Sequence, residues 1–199
     1  MAQDGIYTVI CLALLIPSAW SNADNKKNSP VDIKQFLNTA DLIWTYNTTA
    51  GPYSKCRVDV RISIYGDRIV FQRSHQRKSG NWTHRYLQGK FDHWLYSQRA
   101  NPYNVILVSR LEHHVSEWKT EELLVYQDPD NKCGVFKVLT RGKGLDMITV
   151  ELRLRNSSVH EGPSKLCLDK FNNRKGRRKS YGLYASDCQE KVKAHQNEF

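Results

Sequence analysis

From Cys56 the hydrophobic pattern has a period of two. Val58, Val60, Ile62 and Ile64 fall on one side, and Arg57, Asp59, Arg61 and Ser63 on the other, which marks a strand with two unlike faces. Gly66-Asp67 then turns the chain into Arg68-Ile69-Val70-Phe71-Gln72. Upstream, Leu42-Ile43-Trp44-Thr45-Tyr46 is β-branched and aromatic and reads as a strand. Downstream, strand-like runs recur at 82–91, 104–111, 122–126, 134–139 and 147–155, with turns at Asp128-Pro129-Asp130-Asn131 and Gly142 to Gly144. Seven or eight strands with hairpin-length connections predict an antiparallel sandwich or an up-and-down barrel. Periodicity does not separate the two. Helices are predicted at the ends: a short one through Ile33, Phe36 and Leu37, and two more over 163–171 and 183–194.

Composition agrees with a folded domain. The 199 residues are 40% hydrophobic and 11% aromatic, which argues against disorder and gives enough chain for one core. The N-terminus stands apart. Ile6 to Trp20 is almost wholly apolar, too short to span a bilayer, and is followed by small residues at Ala19, Ser21 and Ala23. We read residues 1–23 as a cleaved signal peptide and 24–199 as a secreted, extracellular domain. The competing reading is a signal anchor, since the leader carries Asp4 and no Lys or Arg before its apolar run. The formal charge of +10 rises by one when Asp4 leaves.

Export changes the meaning of the cysteines. Cys11 departs with the leader, and Cys56, Cys133, Cys167 and Cys188 remain. An even count in an oxidising compartment predicts two disulfides, with three connectivities open. A four-thiolate zinc site expects two C-x-x-C pairs, and the sequence has none. Sequons at Asn47-Thr48-Thr49, Asn81-Trp82-Thr83 and Asn156-Ser157-Ser158 predict glycosylation at Asn47, Asn81 and Asn156.

A short helix, an all-β body and a C-terminal helix, tied by four cysteines, resemble the tick salivary lipocalins, which include the histamine-binding proteins. The likeness is sharpest at Cys167-Leu168-Asp169-Lys170-Phe171, followed by Cys188-Gln189-Glu190. It extends to a frame of Cys133-Gly134-Val135, Glu151-Leu152-Arg153 and Cys167. The resemblance implies an eight-stranded antiparallel up-and-down lipocalin barrel with short N- and C-terminal helices. It also implies disulfides Cys56–Cys188 and Cys133–Cys167, and an interior that holds a small ligand. By family the ligand is histamine or serotonin, held by carboxylates and aromatic faces. Of the amine signature this sequence keeps the carboxylate at Glu151. It has Gly134 where the acid belongs and Arg153 in place of the aromatic.

Glu151 and Arg153 share a strand face, so in the family register both point inward as ligand-binding residues. Arg153 then supplies Glu151 with a counter-charge and suits the head group of an anionic lipid mediator, an eicosanoid or fatty acid, better than an ammonium. Periodicity alone gives the opposite reading. Val150, Leu152 and Leu154 form an apolar face that would ordinarily turn inward, leaving Glu151 and Arg153 exposed. Both readings stand at this level.

The rest of the chemistry is sparse. Adjacent His113 and His114 face opposite ways on a strand and do not chelate together, so no metal or other cofactor is expected. No Gly-x-Ser-x-Gly or His-Glu-x-x-His is present, which argues against an enzyme. Five cations in the six positions from Arg174 to Lys179 are either a sulfated-glycan patch or a solvated loop. No nucleic-acid motif is visible. The expectation is a monomeric salivary lipocalin, free of membrane after signal cleavage, that sequesters a small host mediator and so helps evade host defence. A scaffold binding a host protein or glycan through its loops is the alternative.

Overall fold

β-branched and aromatic residues concentrate where strands form, and turns fall where Gly, Asp, Asn and Pro cluster. The computed structural model describes residues 30–94, 102–113 and 117–196; the expected leader at 1–23 lies outside them. Eight strands run β1 Ile43–Thr48, β2 Ser54–Tyr65, β3 Arg68–Arg77, β4 Trp82–Asp92, β5 Val105–Arg110, β6 Thr120–Gln127, β7 Cys133–Thr140 and β8 Met147–Arg155. Each from β2 onward is antiparallel to the next. β1 closes the sheet, pairing with β8 (Thr45 opposite Arg153) and with β2 (Ile43 opposite Asp59). The architecture is a closed eight-stranded antiparallel up-and-down β-barrel with three short helices, a lipocalin fold. A two-residue strand that the sequence does not announce, β9 Tyr181–Gly182, takes the edge of β1 where β2 has diverged.

α1 covers one end of the barrel, the closed end; no helix among the described residues covers the other, the open end. α1, Ile33–Leu37, is capped by the Asp32 side chain, which accepts from the Gln35 amide. It buries Ile33, Phe36 and Leu37 against the barrel's inner apolar residues. Arg155 donates to the Phe36 carbonyl at 2.8 Å, and Lys34 to the Gly66 carbonyl at 2.7 Å, so α1 is fastened to two strand ends.

α2, Lys165–Lys175, lies outside the barrel and overshoots the expected 163–171. Arg174 and Lys175 suit the negative end of its dipole, and Gly176, at φ 57°, ends it. α3, Cys188–Gln196, starts later than the expected 183, because Leu183, just past β9, is bonded to two strands: its amide donates to the Tyr46 carbonyl and its carbonyl accepts from the Cys56 amide.

The walls are therefore packed on both faces. Inside sit Ile69, Phe71, Phe91, Ile106, Leu124 and Phe136 beneath α1. Outside, Val150, Leu152 and Leu154 of β8 pack with Trp44, Val135, Phe171 of α2 and Val192 of α3. The apolar stripe of β8 faces outward, under the helices. The disulfides are Cys56–Cys188, which joins α3 to β2, and Cys133–Cys167, which joins α2 to β7. Among the described residues, no helix is long and apolar enough to cross a membrane.

The bridges close loops of 132 and 34 residues. Chain-entropy arguments assign them about 5 and about 4 kcal/mol. Replacing each pair by serine is expected to lower the urea midpoint, the 56–188 variant more than the 133–167 variant, with a steeper slope as the unfolded chain expands.

Candidate functional site

The alternation of β8 that turns Leu152 and Leu154 outward turns Glu151 and Arg153 into the barrel. Both are buried, at 2% and 1% exposure. They do not stand alone. Arg153 donates to Glu151 from Nε at 2.9 Å and from Nη2 at 2.6 Å, and its Nη1 lies 2.6 Å from Glu122 of β6. Glu122 accepts in turn from Arg73 of β3 at 2.9 Å. Arg73 grips Asp59 of β2 with two 2.7 Å bonds. At the other end Arg57 of β2 pairs with Glu151 and donates from Nε to Thr45 at 2.9 Å. The result is one alternating chain, Arg57, Glu151, Arg153, Glu122, Arg73, Asp59, with three charges of each sign.

Its electrostatics follow from that order. Burial pushes the Glu151 carboxyl up, but Arg57 and Arg153 outweigh it and bring it down to about 2. Burial acts the same way on Glu122, and Arg153 and Arg73 hold it far below the ordinary carboxylate range. For Arg73 and Arg153 burial favours proton loss, and the carboxylates more than reverse it. Glu122, Glu151, Arg73 and Arg153 are therefore held in their charged forms.

Little room is left around the chain. Beneath α1, between Leu37, Ile43, Phe71, Arg73, Glu122 and Arg153, the cavity is about 10 Å³, one water's worth. Gly134 of β7 explains part of the filling. A Cβ placed there would meet Phe36 at 2.9 Å and Phe136 at 3.1 Å. The two rings meet edge to face, and the Arg153 guanidinium lies 4.3 Å from the Phe136 centroid. The place of the amine signature's acid is thus occupied by two rings and a guanidinium.

The open end has a different character. Arg73, His75 and Arg77 alternate along one face of β3, and Arg85 of β4 lies opposite Arg73. His75 is lowered to about 4, by burial first and then by Arg57, Arg85, Arg77 and Arg73. No ion pair engages Arg77 or Arg85 among the described residues. Sequence reading missed both Arg57 to Asp59 and this cluster. The one available signal was the run of inward-register arginines on β2 and β3.

The remaining predicted sites are dispersed. Asn81 is exposed in the β3–β4 turn and Asn47 is half-buried on β1. The Asn156 carboxamide oxygen accepts from Trp44 at 2.8 Å and from Gln189 at 2.6 Å. His113 is exposed, and His114 lies outside the described residues. The close Cys/Asp groupings around Cys56–Cys188 and Cys133–Cys167 are built on disulfide sulfurs, which are not thiolate ligands.

Comparison with known proteins places the fold. The chain is similar to AM182 in its serotonin complex (14% identity, 80% of this chain and 94% of that one, TM-score 0.55). It is also similar to H1 crustacyanin of the lobster Homarus americanus (14%, 78% and 82%, TM-score 0.53) and to the siderocalin Ex-FABP (10%, 74% and 94%, TM-score 0.52). No family model and no curated protein matches the sequence. Identities this low carry the lipocalin architecture and nothing finer.

Two outcomes follow from the geometry. Gly134→Asp is expected to destabilise by about 3 kcal/mol, through overpacking and an unpaired buried charge, without creating histamine affinity; urea midpoints and titration calorimetry check both. His75 supplies an acid limb. The unfolded imidazole takes up a proton near its ordinary 6.5, and the folded one does so at about 4. Its favourable contribution is therefore complete above the unfolded value and is lost as pH falls toward the folded one. Urea midpoints should decline between about pH 7 and about pH 5 in the parent and decline less in His75→Gln.

Proposed function

We propose that the chain is a secreted, non-enzymatic lipocalin of the tick salivary type that captures a small anionic mediator at the open end of its barrel, without turnover. The observation that carries this is the imbalance between two levels of the interior. Deep in the barrel, Asp59, Glu122 and Glu151 are each matched by an arginine. At the mouth, Arg77 and Arg85 have no such match among the described residues. A carboxylate finds charge-assisted donors there, with His75 beside them to take up a proton as the anion binds. An ammonium finds no unpaired carboxylate beside them among the described residues of the barrel interior.

The interior pair serves this reading indirectly. Glu151 and Arg153 hold the neutral chain beneath the ligand, so they shape the floor of the site. Arg57 ends the chain, with 17% of its side chain exposed. That exposure supports a second reading, in which a biogenic amine displaces Arg57 from Glu151. AM182 binds serotonin and has a similar fold, so serotonin joins histamine as a test ligand. Export, two disulfides and sequon use form one picture, with Asn81 the acceptor most open to modification.

Calorimetric titration of oxidised, glycosylated mature protein with arachidonate, histamine and serotonin decides between them. Arachidonate should bind, and Arg77→Ala and Arg85→Ala should each weaken it by about tenfold or more. Amine binding that disappears in Glu151→Gln would establish the second reading instead. Silence from all three would leave a scaffold that acts through its loops.

A further inference from the structure

The run from Arg174 to Lys179 is read by sequence as a charge patch of unknown partner. The fold gives it neighbours. α2 lies along the outer wall of β7 and β8 and ends beside the start of β8, the rim of the open end. Arg178 is committed to structure. Its Nε donates to Lys175 at 3.0 Å, its Nη2 to Arg174 at 2.8 Å and its Nη1 to the Ile148 carbonyl at 3.3 Å. That last bond fixes the basic run against β8. Arg174, Lys175, Arg177 and Lys179 make no ion pair among the described residues.

The strand and loop they adjoin are unexpectedly apolar. Leu145, in the β7–β8 loop, is 88% exposed, and Met147 and Ile148 are each about half exposed. Arg141 and Lys143 in the same loop are exposed as well. Asp146 is the one acid there, and it accepts the Gly142 amide at 3.2 Å. Ile148 continues the outward stripe of Val150 and Leu152 just beyond the cover of α2.

We propose that this rim is a membrane-docking surface for anionic phospholipid: Leu145, Met147 and Ile148 enter the headgroup region while the four unpaired cations of 174–179, with Arg141 and Lys143, contact lipid phosphates and carboxylates. Clustered cations around protruding aliphatic side chains fit a negatively charged interface. A sulfated glycan would use the charges but has nothing to offer Leu145. Attachment of this kind departs from the expectation of a chain free of membrane after leader removal. Docking here would set the open end of the barrel at the interface. It does not depend on the ligand proposed above, because vesicles alone are the probe.

The experiment is sedimentation of the full mature chain with phosphatidylcholine vesicles, with and without about three-tenths phosphatidylserine. Binding is expected with the anionic vesicles and not with the neutral ones, and it should weaken as salt is raised. The variant Arg174→Gln/Lys175→Gln/Arg177→Gln/Lys179→Gln keeps Arg178 and should lose affinity by about a hundredfold. Leu145→Asn leaves every charge unchanged and should lose about tenfold. Equal binding to both vesicle types, or no binding to either, would overturn the proposal. So would an unchanged affinity in Leu145→Asn, which would make the patch purely electrostatic and favour a sulfated polymer such as heparin.

Discussion

Six charged side chains from four strands occupy the barrel where lipocalin interiors have room for a ligand. Their pairing constrains the rest of the structure. Removing one member leaves the buried chain with one uncompensated charge, which costs about 3–5 kcal/mol, although the intact network adds little to stability over an apolar core. Its effect is on register. Arg153 meets Glu122 only if β6, β7 and β8 are aligned as they are, and Arg73 meets Asp59 only in the present pairing of β2 and β3. A slip of one residue in either pairing would send a charge to the helix-covered face.

The chain also explains why both barrel faces need covering. Charges inside β8 put its leucines outside, and leucines outside require α2 and α3 above them. The two disulfides hold those helices in place, Cys133–Cys167 against β7 and Cys56–Cys188 against β2. At the closed end the same economy of space operates. Gly134 admits Phe36, Phe36 brings α1 into the barrel, and α1 shuts the end through Arg155 and Lys34. Closure at one end and neutrality in the middle leave the opposite rim as the place where charge is unbalanced.

That rim combines two surfaces with different chemistry. Within the barrel opening, Arg77 and Arg85 stand beside a histidine kept neutral by burial and by its cationic neighbours. On the outer edge, aliphatic residues and a basic run lie together because α2 ends there. A ligand arriving from a lipid interface and a protein seated on that interface are compatible with one geometry, in which the opening faces the bilayer.

Much of this was legible in the sequence. Alternation at 56–65 and 147–155, together with turn residues at 66–67, 128–131 and 142–144, placed strands and hairpins, because backbone pleat and turn sterics are local. The spacing of Ile33, Phe36 and Leu37 announced α1 for the same reason. Which face of β8 turned inward was not local. Val150, Leu152 and Leu154 are a sound inner face by hydropathy, and only the docking of α2 and α3 gave them an outer one. Glu151 and Arg153 needed Arg57 and Glu122, ninety-four and thirty-one positions upstream respectively, before they could be buried. The sequence by itself thus determined the strands, the helices and the supply of charges. Tertiary structure decided which charges cancel and which remain, because a buried ion's energy depends on partners that only closure of the barrel brings within reach.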